Sequence, residues 1–125
     1  MTKINVGIAG CLGRMGQELI KATVNNNLIN FIGGFEHPQH KNINKRISDL
    51  ININTAHIVS DSPKKIFSMS DVIIDFSIPQ GTLELMKRIK KQKNCLCVGL
   101  DINSETLGTT DLVELKAHTF FANCA

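Results

Sequence analysis

The chain has 125 residues, of which 42% are hydrophobic and 20% charged, and its formal net charge is +3. This composition is typical of one globular domain and is too apolar for a disordered chain. Positive charge clusters only at Lys87–Lys93, after an apolar-periodic segment. A solvated helix end explains that cluster better than a nucleic-acid surface does. No apolar run is long enough for a signal peptide or a membrane span, so we expect a cytoplasmic protein without nucleic-acid or membrane partners.

The cysteines and other reactive residues predict neither a metal site nor a catalytic centre. The four cysteines are Cys11, Cys95, Cys97 and Cys124. Their spacing matches no zinc site, so we expect free thiols in a reducing compartment, those of Cys95 and Cys97 buried in a strand. The sequence also contains no recognisable Ser-His-Asp set and no paired catalytic carboxylates. We therefore assign no catalytic residue and no metal to this chain.

The first third of the chain predicts strand, helix and strand. Residues 4–9 form a β-branched run that ends in glycine, which is typical of a buried strand. Apolar residues then recur at helical spacing, namely Leu12, Met15, Leu19, Ile20 and Thr23. The Asn25–Asn27 triplet ends that helix, and residues 30–35 predict a second strand. About 30 residues is the size of one βαβ unit, in which the two strands are parallel and the crossover is right-handed.

The rest of the chain repeats this alternation. Residues 37–54 are expected to be a loop with one helical turn near 47–50. Further strands are predicted at 56–59, 72–76, 95–98 and 118–122. Further helices are predicted from Ser62-Pro63 through Phe67, from Pro79, and after Ser104. The alternation predicts an α/β fold, specifically a Rossmann-type doubly wound parallel sheet of about six strands with helices on both faces.

The turn after the first strand predicts a phosphate-binding site. Residues 10–16 read Gly-Cys-Leu-Gly-Arg-Met-Gly, with glycines at Gly10, Gly13 and Gly16. Gly10 permits a sharp turn, Gly13 lets a pyrophosphate approach the backbone, and Gly16 allows close packing of helix on sheet. The amide groups and the positive dipole end of the helix would then bind the phosphates.

The second strand ends in residues that bear on the rest of a dinucleotide. Glu36 lies twenty residues beyond Gly16, where a carboxylate accepts hydrogen bonds from ribose hydroxyls. Arg14 fits two interpretations equally, as a ligand of a ribose 2′-phosphate or as a solvated helix residue. His37 and His40 follow Glu36 and can help to tolerate a phosphate there, although we do not assign that role to His40.

The motifs together resemble the dihydrodipicolinate reductase family, whose members are also called 4-hydroxy-tetrahydrodipicolinate reductases. The resemblance extends over essentially the whole chain. It is carried by residues 10–16, by Glu36 after a strand, by Asp-Phe-Ser-Ile-Pro-Gln-Gly-Thr at residues 75–82, and by Phe121-Ala122-Asn123. It implies an oxidoreductase that transfers hydride from NADH or NADPH to a cyclic imine-type intermediate in lysine and diaminopimelate biosynthesis in bacteria. The specificity of the 75–82 string argues against a different Rossmann oxidoreductase.

The resemblance also assigns the cofactor site residue by residue. The implied cofactor-binding residues are Gly10, Cys11, Leu12, Gly13, Arg14, Met15, Glu36, His37, Phe76, Ser77, Gly99, Ala122 and Asn123. Phe76 and Ser77 correspond to the segment near the nicotinamide, with Phe76 as plain core the alternative. Family members often have an arginine where this chain has His37, which leaves the choice between NADH and NADPH open.

Two departures from the family pattern limit what we expect of the chain. The Gly-Thr-Thr-Gly loop of the family is shortened here to Val98-Gly99-Leu100-Asp101, and the final residues are Cys124 and Ala125. In the family, a second domain supplies the catalytic acid, binds the substrate 4-hydroxy-tetrahydrodipicolinate and makes the contacts of the homotetramer. We therefore expect residues 1–125 to be the NAD(P)-binding domain alone, truncated and inactive by itself. The alternative is a non-catalytic dinucleotide-binding module.

Overall fold

The computed structural model describes residues 3–77, 84, 85, 87 and 95–98. The elements in these residues are β1 (Ile4–Ala9), α1 (Arg14–Val24), β2 (Ile29–Phe35), α2 (Ile47–Leu50), β3 (Val59–Ser60), α3 (Pro63–Met69), β4 (Val72–Asp75) and β5 (Cys95–Val98). The strands form one sheet in the order β3-β2-β1-β4-β5, with every pairing parallel. This confirms the α/β fold, the parallel sheet and the predicted turn at 47–50. The predicted strand at 118–122 and the helix after Ser104 lie outside the described residues.

The order of the strands places the end of β1 at the point where the sheet changes direction. β1 pairs with β2 on one side and with β4 on the other. In these two ladders Ala9 aligns with Phe35 and with Asp75, so three strands end side by side. Ligands of open α/β sheets bind at such a position, outside the carboxyl ends of the strands. The chain segments after Ala9, Phe35 and Asp75 are therefore the ones that can form a shared site.

Alternate residues of β1 show that helices cover both faces of the sheet. Val6 and Ile8 belong to the buried cluster that contains Ile20 of α1. Gly7 faces the other way, because a Cβ built on it would lie 2.6 Å from Cγ2 of Ile66 in α3. Successive strand residues point to opposite faces, so α1 and α3 lie on opposite sides of the sheet. The predicted doubly wound arrangement is confirmed on this point.

The first helix begins two residues after Leu12, the first residue of the apolar pattern that predicted it. Leu12 lies in the turn before α1, which begins at Arg14, and Met15 is 47% exposed. The buried residues of α1 are Gly16, Ile20 and Thr23. Leu12 packs against the buried core from the turn, whereas the side chain of Met15 in the first turn of α1 is exposed. The predicted end at Asn25 is confirmed.

The predicted strand at 56–59 is also wrong, since β3 contains only Val59 and Ser60. Backbone groups of residues 57 and 59 form hydrogen bonds with residues 45 and 47 instead. The His57 carbonyl accepts from the Ile47 amide, and the Val59 amide donates to the Lys45 carbonyl. The predicted cap of α3 is confirmed, because the Ser62 hydroxyl accepts from the Lys65 amide at 3.2 Å.

Among the described residues, no helix is long and apolar enough to cross a membrane.

Candidate functional site

Two of the three glycines after β1 are required by the shape of the turn. Gly10 has φ of +62°, a left-handed conformation that L residues with a side chain rarely adopt, and a Cβ there would lie 3.2 Å from Cβ of Ser77. A Cβ on Gly16 would overlap the Gly10 carbonyl oxygen and lie 2.8 Å from the Cys11 backbone. Gly16 therefore allows the helix to pack against the turn itself, and the prediction that it packs against the sheet is corrected.

Gly13 has a different role, because it faces open space. It is exposed, with φ of −65° and ψ of 167°, and a Cβ on it would meet only the Gly10 oxygen, at 3.4 Å. Just beyond it, the amides of residues 14–16 have no hydrogen-bond acceptor among the described residues. The first-turn amides of a helix carry its positive dipole end and bind anions. The turn thus combines amide groups that no described residue uses as donors with an open side at Gly13.

Glu36 is brought directly to this turn. Its Oε1 accepts a hydrogen bond from the Leu12 amide at 2.9 Å, and its own amide donates to the Ser60 carbonyl at 3.0 Å. The Gly10 amide donates to the Phe35 carbonyl, also at 3.0 Å. The ends of β1, β2 and β3 are therefore tied together, and the half-buried carboxylate has a fixed position beside the phosphate turn.

Cys11 is a packing residue within the turn. Its side chain is fully buried, and a Cβ built on Gly34 of β2 would lie 2.6 Å from the Cβ of Cys11. Burial, and to a smaller extent the negative charge of Glu36, raises the pKa of the Cys11 thiol to about 12. The thiol is therefore protonated and unreactive at neutral pH, and Cys11 is a free cysteine as predicted, although its burial was not.

The segment after β4 forms the opposite side of the site. Phe76 is 40% exposed, so the alternative that it is plain core is wrong. Asp75 is fully buried, and its Oδ1 accepts from the Ser77 amide at 2.8 Å. Its other oxygen, Oδ2, has no partner among the described residues. Asp75 was not among the predicted site residues, although an acid that closes the Val-Ile-Ile run of a central strand was a usable signal.

The remaining predicted residues are placed less centrally or lie outside the described residues. Arg14 is exposed and makes no ion pair within residues 3–77. His37 is exposed, and its Nδ1 accepts from the Gln39 amide at 3.1 Å. The predictions for Gly99, Ala122 and Asn123 fall outside the described part of the chain. In that part, no group of three or more His, Cys, Asp or Glu residues could hold a metal ion.

Comparison with known families gives a match over most of the chain. The family model described as "Dihydrodipicolinate reductase, N-terminus" matches residues 4–114. A 4-hydroxy-tetrahydrodipicolinate reductase of Pelagibacter ubique (strain HTCC1062) is 39% identical over 100 residues, which are 79% of this chain and 34% of that protein. One of Ehrlichia ruminantium (strain Gardel) is 28% identical over 123 residues, which are 98% of this chain and 47% of that protein. The chain thus spans between about a third and a half of the length of these relatives.

Solved structures agree on the fold. A dipicolinate-bound dihydrodipicolinate reductase from Paenisporosarcina sp. TG-14 superimposes with a TM-score of 0.66 at 20% identity, covering 97% of this chain and 44% of that one. A UDP-N-acetylglucosamine 3-dehydrogenase from Acidithiobacillus ferrooxidans gives a TM-score of 0.70 at 11% identity, covering 98% of this chain and 37% of that one. At these identities the likeness concerns the fold alone.

The family assignment therefore rests on the sequence match, and the site geometry agrees with it. The matched stretch includes the turn at 10–16, Glu36 and the Asp75–Ser77 segment, all of which lie at the carboxyl ends of β1, β2 and β4. Another Rossmann oxidoreductase, the alternative left open by the fold, is not what this match indicates. The chain belongs to the dihydrodipicolinate reductase family, and it carries the N-terminal region of that family.

Proposed function

We propose that this chain binds NADH or NADPH, with the pyrophosphate at the turn of residues 10–16. The observation that carries the proposal is the group of three first-turn amides, those of Arg14, Met15 and Gly16, without an acceptor in the described part of the chain. They stand beside an exposed glycine at the carboxyl edge of the sheet. Backbone donors at a helix N-terminus in this position are the usual ligands of a dinucleotide pyrophosphate.

The described residues fit such a cofactor. A Cβ on Gly13 would occupy the open space in front of the amides, so a glycine here keeps that space free. Glu36 has its Oε2 without a partner within residues 3–77, so this oxygen can accept from ribose hydroxyls while Oε1 holds the Leu12 amide. When bound, the cofactor would supply a hydride from its nicotinamide ring.

We assign the nicotinamide end of the cofactor to the segment after β4. Phe76 is exposed at the end of a central strand, and Ser77 lies against Gly10 of the turn. This contact supports the assignment, because it brings the segment beside the turn, where an exposed aromatic ring could shield the reacting face of the cofactor from water. The resemblance adds Gly99, Ala122 and Asn123 to this end of the site, and these three residues stay predictions.

For the whole protein we propose the reaction that the names of the relatives state, reduction of 4-hydroxy-tetrahydrodipicolinate. The described residues contribute binding and orientation of the cofactor to it. The acid that protonates the substrate after hydride transfer is not assigned to any of them, since none is placed for that role. The cytoplasmic location and the homotetramer implied by the resemblance are part of the same proposal.

A calorimetric titration of the chain with NADH and, separately, with NADPH tests this proposal. We expect saturable binding in the micromolar range for the wild type. Gly13→Asp should abolish it, because the new carboxylate would occupy the phosphate position and repel the phosphates.

The matched control is Asn27→Asp, which makes the same change of charge at an exposed position beyond the other end of α1. Its binding should equal that of the wild type. The proposal fails if neither cofactor binds, or if Gly13→Asp binds as tightly as Asn27→Asp does.

A further inference from the structure

We propose that Asp75 is a positioning residue of the cofactor site. Its buried carboxylate holds the backbone around Phe76, so that the Phe76 ring is presented to the nicotinamide end of a bound dinucleotide. The inference rests on the proposed function, because it concerns the segment to which we assign the nicotinamide. It goes beyond that function in giving a role to a residue that is fully buried and that a ligand therefore does not reach from solvent.

The sheet fixes the position of Asp75. This residue ends β4, which pairs with β1 on one side and with β5 on the other, and in these two ladders it aligns with Ala9 and with Val98. Alternate residues of a strand share a face, so Asp75 lies on the same face as Ile73, the face that α3 covers. The buried carboxylate therefore has little freedom to move.

The stability of the fold does not explain an acid at this position. The Oδ2 atom of Asp75 is buried and has no hydrogen-bond partner among the described residues. A buried polar atom without a partner is unfavourable and is uncommon in folded proteins. An apolar side chain, such as that of Ile73 two residues earlier, suits the buried face of a central strand better. The feature that distinguishes the carboxylate here is therefore the contact made by its other oxygen.

That other oxygen holds the chain after β4. Oδ1 of Asp75 accepts from the Ser77 amide at 2.8 Å, and this hydrogen bond closes a short turn around Phe76. Ser77 in turn lies against the phosphate turn, because a Cβ built on Gly10 would lie 3.2 Å from the Cβ of Ser77. The backbone of Phe76 is thus held between a buried carboxylate and the phosphate turn, while its side chain is 40% exposed.

This arrangement should affect one end of the ligand only. The amides proposed to bind the pyrophosphate belong to α1, whereas Asp75 acts on the segment after β4. An aromatic ring contributes most to binding when it meets another ring at a defined distance and angle, and that contribution decreases when the ring must first be ordered. Loss of the Asp75 hydrogen bond should therefore weaken the nicotinamide contact and leave the phosphate contacts unchanged.

Titration calorimetry with NADH and, separately, with ADP-ribose distinguishes these two contributions. ADP-ribose keeps the pyrophosphate and both riboses but lacks the nicotinamide, so the ratio of the two affinities measures the nicotinamide contact. We expect the wild type to bind NADH roughly fivefold more tightly than ADP-ribose, the size of one aromatic contact. Asp75→Ala should lower this ratio toward one, while its affinity for ADP-ribose stays that of the wild type.

The outcomes separate the inference from the proposed function. If the wild type binds neither ligand, the proposed function fails and the inference fails with it. If the wild type binds both and Asp75→Ala keeps the wild-type ratio, the inference alone is overturned. The inference is also overturned if the wild type binds NADH no more tightly than ADP-ribose, since no nicotinamide contact is then present.

Asp75→Asn tests the hydrogen bond itself. Asparagine keeps a carbonyl oxygen that can accept from the Ser77 amide, so we expect the wild-type affinity ratio. Urea unfolding of both Asp75 variants measures their stability in parallel. A ratio that falls in step with stability in the two variants would indicate a purely structural role and contradict the proposal. Failure of Asp75→Ala to fold would contradict it as well, because Asp75 would then be needed by the fold rather than by the site.

Asp71→Ala is the matched control. Asp71 precedes the other end of β4, and its Oδ2 accepts from the Asn5 amide at 2.8 Å, so the same substitution removes a similar hydrogen bond from the same strand. The ratio should stay that of the wild type. A lowered ratio would show that it responds to any damage to β4, and the inference would be wrong.

A double variant tests whether Asp75 acts through Phe76. Phe76→Ala should lower the ratio toward one by removing the ring. Adding Asp75→Ala to it should lower the ratio no further, because the residue that Asp75 positions is already absent. If the two losses are instead independent and multiply, Asp75 does not act through Phe76 and the proposal is overturned.

Discussion

Cys11 illustrates how one residue of the turn serves the fold while its neighbours remain available to a ligand. Gly13, Arg14 and Met15 are exposed, whereas the Cys11 thiol is buried against Gly34. The sequence predicted a free thiol at Cys11 but neither its burial nor its contact with β2, because nothing in the spacing of Cys11 and Gly34 indicates that they meet. The contact anchors the turn to the sheet, and it leaves the thiol in a position where ionisation is strongly disfavoured.

The raised pKa of Cys11 predicts a loss of stability at alkaline pH. The folded chain keeps the thiol protonated up to about pH 12, whereas the unfolded chain releases this proton near its ordinary pKa of 9.0. Stability from this group is therefore complete below pH 9 and declines as the pH rises from 9 toward 12. Relative to Cys11→Ala, the wild type should lose about 1.4 kcal/mol of unfolding free energy between pH 8 and pH 10.

Urea unfolding of both proteins across this pH range measures the effect. The other three cysteines are common to wild type and variant, so their contribution cancels in the difference. The unfolding free energies should run parallel below pH 8 and diverge above it. Curves that stay parallel to pH 10 would contradict the assignment of a buried, neutral thiol.

At the start of α1, the position that the sequence pattern indicates differs from the one in the structure. The apolar pattern of the helix starts at Leu12, yet the helix begins at Arg14. Glycines mark the turn correctly, but periodicity cannot distinguish the residues of a turn from the first residues of the helix that follows. In the same way, the sequence predicted a short strand near β3 but not its bounds, because β3 is defined by its pairing with Gly34 and Phe35 of β2, which are distant in the sequence.

Gly13 and Gly16 should respond differently to alanine, although they are three residues apart. Alanine normally stabilises a helix relative to glycine by about 1 kcal/mol. At Gly16, however, its Cβ would overlap the Gly10 carbonyl, so Gly16→Ala should destabilise the fold by about 1–3 kcal/mol. At Gly13 the backbone suits any residue and the contact is ordinary, so Gly13→Ala should change stability by less than about 1 kcal/mol.

Denaturant midpoints with an unchanged m value would measure these two effects. Gly13→Ala is the matched control, since it adds the same methyl group to the same turn. The description of the turn is wrong if Gly16→Ala is as stable as the wild type or more stable. It is also wrong if the two variants are destabilised equally.

At the scale of the whole molecule, the parallel sheet and its alternation with helices followed directly from the sequence. Short β-branched runs predicted the central strands. The run of β1 is followed by Gly, that of β2 ends in Phe-Glu, and that of β4 ends in Asp. The site needed more than this, because it depends on which strand ends meet. The alignment of Ala9 with both Phe35 and Asp75 brings the turn, Glu36 and Ser77 together. The burial of Asp75 also follows from that alignment, which is why the motif alone did not reveal its structural role.

The most direct test of the account is to follow the backbone amide resonances of the chain by NMR while NADH is added. We predict that the signals of Arg14, Met15 and Gly16 shift together and report one dissociation constant, because these amides bind the pyrophosphate. An open cavity away from the turn, lined by Lys21, Val24, Asn25, Asn52, Ile53 and Asn54, provides an internal reference. Binding that shifts signals around this cavity and leaves those of residues 14–16 unchanged would contradict the central claim.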